Sequence, residues 1–112
     1  MLSPFRNRRQ DAQRSVATQQ RETREAEQAL AEVVQQSEAR TLELMREKAR
    51  GDLSRDQFEA GVKGVFAEVK AAEEKVADSR NLRKIAEQEL ADAIADDQEQ
   101  KRANVRKASL QR

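Results

Sequence analysis

Apolar residues recur along this chain at α-helical spacing, in two runs separated by a short break. In the first run Val16, Thr23, Leu30, Ser37 and Leu44 fall every seven residues. Ala26 and Val33 take the complementary position, and Met45 and Ala49 continue the face. In the second run Val62, Val69, Val76 and Leu90 share one heptad position, while Phe58, Val65, Ala72, Ser79, Ala86 and Ala93 share the other. Arg83 interrupts the first of these rows. Leu82 and Ile85 beside it carry apolar character to an adjacent face, which predicts a stutter or a second contact surface there. About half the seam positions hold Ala, Ser or Thr, so the helices should pack closely and with little specificity. The seam hydroxyls of Thr23, Ser37 and Ser79 are expected to pair with backbone carbonyls, a register-setting role being the alternative.

The helix breakers stand where two helices need them. Pro4 follows Ser3, the order of a serine N-cap with proline at the first helical position, where a missing N–H costs nothing. No further proline occurs, and no glycine before Gly51, so residues 4 to 50 are predicted to run as one helix of about 70 Å. Gly51 can adopt the left-handed conformation that ends a helix. Ser54 and Gln57 then have the spacing of a capping box, with Leu53 and Phe58 at the two ends of a hydrophobic staple. The turn is therefore placed at 51 to 54 and the second helix at 55 to 108. A connection this short joins antiparallel neighbours.

The segment Gly51-Asp52-Leu53-Ser54-Arg55-Asp56-Gln57-Phe58 resembles the linker of short bacterial helical hairpins such as the SHOCT type. Capping physics alone selects these residue types, so the resemblance speaks to the turn and assigns no family. Gly61 and Gly64, one turn apart, each cost about 1 kcal/mol relative to alanine inside a helix. Close approach of another helix is the preferred reason, ahead of a hinge.

The expected fold is an all-α antiparallel two-helix hairpin, a coiled coil forming one domain over residues 1 to 112. Its 23 Val, Leu, Ile, Met and Phe residues among 112 make a thin core. Dimerisation into a four-helix bundle or an extended coiled coil is expected to cover what one chain leaves open.

Composition then narrows the chemistry. The chain has no His, Cys, Trp or Tyr, hence no imidazole base, thiolate nucleophile or N/S zinc site. The expectation is a protein that is not an enzyme and takes no cofactor and no metal. Adjacent carboxylates at Glu73-Glu74 and Asp96-Asp97 point about 100° apart on a helix and read as solvated face. Arg50-Gly51-Asp52 spells a cell-adhesion tripeptide, but Gly51 is already explained as a helix stop. No glycine-rich phosphate loop is present. No apolar run is long enough for a membrane span or a signal-peptide core, so a cytoplasmic protein is expected.

Charge is distributed unevenly. Residues 1 to 24 hold six Arg against Asp11 and Glu22, and residues 98 to 112 hold five basic side chains against Glu99, each segment being +4. Residues 25 to 97 hold 11 basic and 18 acidic side chains, −7, and the whole chain is +1. Folding back brings the two basic segments together as a pole of about +8. Along the shaft, Glu59 with Lys63, Arg83 with Glu87, Glu43 with Arg46 and Glu47 with Arg50 have helical pair spacing. Arg6, Arg8 and Arg9 have only Asp11 nearby in sequence and lie at the helix end that disfavours cations. The candidate partner- or anion-binding residues are therefore Arg6, Arg8, Arg9, Arg14, Lys101, Arg102, Arg106 and Lys107. The resulting expectation is a non-enzymatic assembly or adaptor protein that packs helices against a second copy of itself or against an acidic or helical protein partner. The alternative is a nucleic-acid-associated accessory protein that holds phosphates non-specifically at the same pole. Base-stacking aromatics are limited there to Phe5, and binding to an anionic membrane through Met1, Leu2 and Phe5 ranks third.

Overall fold

The computed structural model describes the backbone of residues 4–111 and the side chains of residues 7–111. It contains two helices, α1 (Pro4–Ala49, 46 residues) and α2 (Arg55–Leu110, 56 residues). No strand occurs among the described residues. Pro4 opens α1 as its position in sequence suggests, and the expected cap at Ser3 lies outside the described residues. The helix ends differ from expectation by one or two residues, within the fraying of a terminal turn.

The reversal between the helices rests on backbone hydrogen bonds. Gly51 has φ +84°; its N–H donates to the Lys48 carbonyl (3.0 Å), and the Asp52 N–H donates to the Glu47 carbonyl (2.9 Å). These two bonds close a Schellman motif and satisfy carbonyls that the end of α1 would leave bare. Three residues later α2 starts on the reciprocal capping box. The Ser54 N–H donates to Gln57 Oε1 (2.9 Å) and the Gln57 N–H to Ser54 Oγ (3.1 Å). Leu53 and Phe58 are half-buried. The Lys48 ammonium stands 4.5 Å from the centre of the Phe58 ring, a cation–π contact tying the last turn of α1 to the first of α2.

The two helices pack as an antiparallel hairpin whose contacts fall into two units. In the turn-proximal unit, Glu22–Ser79, Thr23, Ser37, Leu44 and Val76 are buried. Thr23 Oγ1 donates to the Ser79 carbonyl across the seam (3.3 Å), as a seam hydroxyl should. Ser37 departs from that expectation. Its hydroxyl is buried with no hydrogen-bond partner among the described residues, while its own carbonyl accepts from Thr41 Oγ1 (2.8 Å). A buried polar group left so is destabilising by about 1–3 kcal/mol.

The two glycines separate in role. A Cβ on Gly61 would come within 2.9 Å of Leu44 Cδ2, so the helices meet closely at this point, whereas a Cβ on Gly64 would meet nothing within 4 Å. Close approach therefore explains Gly61 alone. Met45 and Ala49 also leave the predicted face. Both are exposed, because Leu44 already holds the inward position and its neighbour is turned about 100° away; Thr41 and Glu47 are the half-buried residues here.

In the terminal unit, residues up to Arg21 lie with Arg80 onward, and among the described residues the buried side chains there are alanines: Ala12, Ala86 and Ala93. Arg8 bonds Asp96, and Arg9 Nη1 lies 3.2 Å from Asp97 Oδ2, which makes this pairing antiparallel too. No stutter occurs at Arg83. It keeps its seam position, half-buried, with Nε 3.7 Å from Glu87 Oε1, and the same row continues through half-buried Leu90 and Asp97. Its aliphatic stem can line the seam while the charged head turns to a carboxylate. Leu82 and Ile85 remain outside, each about half exposed, the second apolar surface that the sequence left open.

Of the anticipated shaft pairs, Arg83–Glu87 forms. The structure otherwise places Arg40 against both Glu43 and Glu47, Arg50 against Asp52, and Arg55 against Glu59. Arg40–Glu43 and Arg55–Glu59 have helical pair spacing, so spacing alone does not select among such partners, whereas Arg40–Glu47 spans two turns and Arg50–Asp52 lies across the helix stop.

These contacts predict opposite signs for two glycine substitutions in urea unfolding. Gly51→Ala should lower stability by about 1–2 kcal/mol, the left-handed backbone being costly for a side chain. Gly64→Ala should raise it by about 0.8–1 kcal/mol, since the position is helical and open. Leu44→Ala should cost about 2–5 kcal/mol.

Candidate functional site

The basic residues singled out in sequence lie in the terminal unit. Its register follows from the Arg8–Asp96 and Arg9–Asp97 contacts, whose residue numbers add to 104 and 106. Pro4 is then level with about Gln100, so the last ten residues of α2 run past it. Along that overhang Lys101, Arg102, Arg106 and Lys107 are exposed, as are Val105 and Leu110.

The predicted site residues divide into three sets. Arg8, Arg9 and Lys101 are engaged: Arg8 with Asp96, Arg9 with Asp97, and Lys101 Nζ with Asp97 Oδ2 at 3.6 Å. Arg14, Arg102, Arg106 and Lys107 are exposed and make no ion pair among the described residues. Arg6 lies in α1, and its side chain is outside those described.

This corrects the expectation that Arg8 and Arg9 have only Asp11 for company, and also that Asp96-Asp97 is plain solvated face. The two aspartates, placed with the acidic shaft by sequence order, stand against α1 arginines 88 residues away. Counting them with the basic segments lowers the combined charge from +8 to +6. They also offset the unfavourable placement of cations at the start of α1. A groove of about 710 Å³ beside Arg8 is lined by Asn7, Asp11, Ser15 and Glu89 as well. Its two carboxylates oppose anion binding. Arg102, Arg106 and Lys107 on the overhang of α2 have no such carboxylate in an ion pair with them among the described residues.

Among the described residues no group of three or more His, Cys, Asp or Glu side chains is placed to hold a metal ion. No helix there is long and apolar enough to cross a membrane. The chain matches no family model, no curated protein and no solved structure. Function must be read from its own surface.

That surface includes a feature the heptad analysis missed. In the turn-proximal unit a groove of about 740 Å³ runs between α1 and α2. Val34, Leu42 and Met45 line it on one side, and Val62, Phe66 and Val69 on the other. The heptad rows place Met45 on the seam face and leave out Val34, Leu42 and Phe66. The signal was available: Val34, Leu42 and Met45 lie eight and three residues apart, on one flank of the seam row rather than in it.

The ion pairs of this site are partly exposed. A double-mutant cycle with Arg9→Gln and Asp97→Asn should give a coupling below about 1 kcal/mol in unfolding experiments at low salt, falling towards zero near 1 M NaCl. A coupling that persists at high salt would mean that the pair is shielded from solvent.

Proposed function

We propose that this protein is a non-enzymatic assembly or adaptor protein that binds a helical protein partner by helix packing in the groove of its turn-proximal unit. The basic overhang of α2 steers an acidic surface of the partner during encounter. The observation that carries this reading is the groove itself. Large apolar side chains from both helices stand in water around one concave strip, at i, i+3 and i+4 spacings that accept an amphipathic helix. Isolated exposed hydrophobics need no explanation, but a contiguous set framed by polar residues marks an interaction surface. Charges on the overhang act mainly on association rate and partner choice.

A specific observation supports a second reading, a nucleic-acid-associated accessory protein. Arg102, Arg106 and Lys107 are exposed and without ion pairs among the described residues, and phosphates can be held by neutralisation and counterion release. With no Trp or Tyr in the chain, base stacking has little to work with.

One capture experiment separates the readings. The intact chain, a Phe66→Asp variant and a triple Gln variant at Arg102, Arg106 and Lys107 are used as baits, with and without nuclease. The assembly reading expects a protein that survives nuclease and is lost from the Phe66→Asp bait. The triple variant should slow its association while leaving dissociation unchanged. Oligonucleotide binding that weakens steeply with salt, ignores Phe66→Asp and disappears with the triple variant would transfer the function to the second reading.

A further inference from the structure

We propose that the groove of the turn-proximal unit is a self-association face, covered by the same face of a second copy of this chain with the two turns at the same end. The proposal rests on the assembly reading above and names the partner.

Three observations lead to it. The first is how much apolar surface the groove leaves in water: Phe66 is 69% exposed, Leu42 54%, Met45 53% and Val34 37%. Phe66 alone contributes roughly 100–170 Å² if an aromatic side chain presents about 150–250 Å². The four together reach the few hundred Å² typical of interaction patches. One partner's share of a stable two-chain interface is about 800 Å². The apolar strip supplies its centre, and the flanking polar residues must supply the rim.

The second is the charge on that rim. Glu38 lies between Val34 and Leu42, one turn from each. Lys63 and Lys70 flank Phe66, three residues before it and four after. All three are exposed and make no ion pair among the described residues. The α1 edge of the strip thus carries an unpaired anion and the α2 edge two unpaired cations.

The third is register. Leu44 meets Gly61, and Thr23 reaches Ser79, so Glu38 is level with Phe66 and midway between Lys63 and Lys70. A two-fold axis parallel to the helices lays α1 of each copy over α2 of the other at the same level. Glu38 then faces the second copy's Lys63 and Lys70, and Phe66 enters the strip beside the second copy's Val34 and Leu42. An axis perpendicular to the helices instead lays α1 on α1 and sets Glu38 against Glu38, an arrangement disfavoured by like charge. The charges therefore select the arrangement with the turns together, and the face is self-complementary as a two-fold interface must be.

The test is the mass in solution and the distance between turns. Sedimentation of the intact protein at tens of micromolar should give about twice 12.8 kDa. Phe66→Asp and Leu42→Asp should each weaken association by about thirtyfold or more, as removal of a central anchor does. Their helicity should be unchanged, because both side chains are already exposed. Glu38→Lys should dissociate the pair, and adding Lys63→Glu and Lys70→Glu should restore it. Because the chain has no cysteine, a spin label at Asp52→Cys reports on one site per copy. Turns together predict a label separation under about 25 Å, and turns apart about 40 Å at 1.5 Å per residue. A one-chain mass at 100 micromolar, a two-chain mass indifferent to Phe66→Asp, or the longer distance would overturn the proposal. A one-chain protein whose nuclease-resistant partner is still lost with Phe66→Asp would remove the second copy as occupant and leave the assembly reading standing. Neither doubling of mass nor capture of any partner would remove both.

Discussion

Small side chains on the seam are the constraint from which the other features follow. Ala12, Thr23, Ser37, Ala86 and Ala93 are buried, and among the described residues Leu44 and Val76 are the large apolar ones buried with them. A seam of this size lets the helices come close, to the point where a Cβ at position 61 would come within 2.9 Å of Leu44 Cδ2. It also leaves no interior volume for Leu42, Met45, Phe66, Leu82 or Ile85, which stay outside. A thin core and an apolar exterior are two aspects of one packing choice. Burial in such a hairpin contributes less than a globular core of the same length, so covering the exterior is the available route to further stability.

The charges follow from the same antiparallel pairing. Reversal at Gly51 sets residues whose numbers add to between 102 and 106 opposite one another, from Lys48 with Phe58 to Arg9 with Asp97. It places Asp96 and Asp97 against arginines that would otherwise repel one another at the start of α1. Exposed pairs of this kind contribute little to stability. Their effect is on the field: they reduce the positive charge beside α1 and leave Arg102, Arg106 and Lys107 as the region open to an anion. In the turn-proximal unit the same register sets Glu38 level with Phe66, between Lys63 and Lys70, and so gives the apolar groove an acidic and a basic edge. The exposed basic residues of α2 and the apolar groove thus lie in different units, which separate variants can address.

The surface of the molecule carries two kinds of group that a macromolecular partner could engage. They are the apolar strip of the turn-proximal unit and a few exposed charges without an ion pair among the described residues. Both suit association with another macromolecule. Phe66 is aromatic, central and the most exposed of the four side chains that define the strip.

What the amino-acid order determined by itself was local. Helical periodicity, the glycine stop, the Ser54–Gln57 box and the inward rows through Leu44, Val76, Ala86 and Ala93 are properties of neighbours within a turn or two, where backbone geometry leaves few options. What only the tertiary structure decided involved distant or competing partners. Asp96 and Asp97 were misplaced because their arginines are 88 residues away. Glu43 and Glu47, which helical spacing also offers to Arg46 and Arg50, both stand against Arg40. A heptad pattern names the seam but not its flanks, so it does not separate Gly64 from Gly61 or Met45 from Leu44, and it does not mark Phe66. Where a residue falls around the helix is written in its sequence position; whether anything stands opposite depends on the other helix, and that is fixed only when the chain folds back on itself.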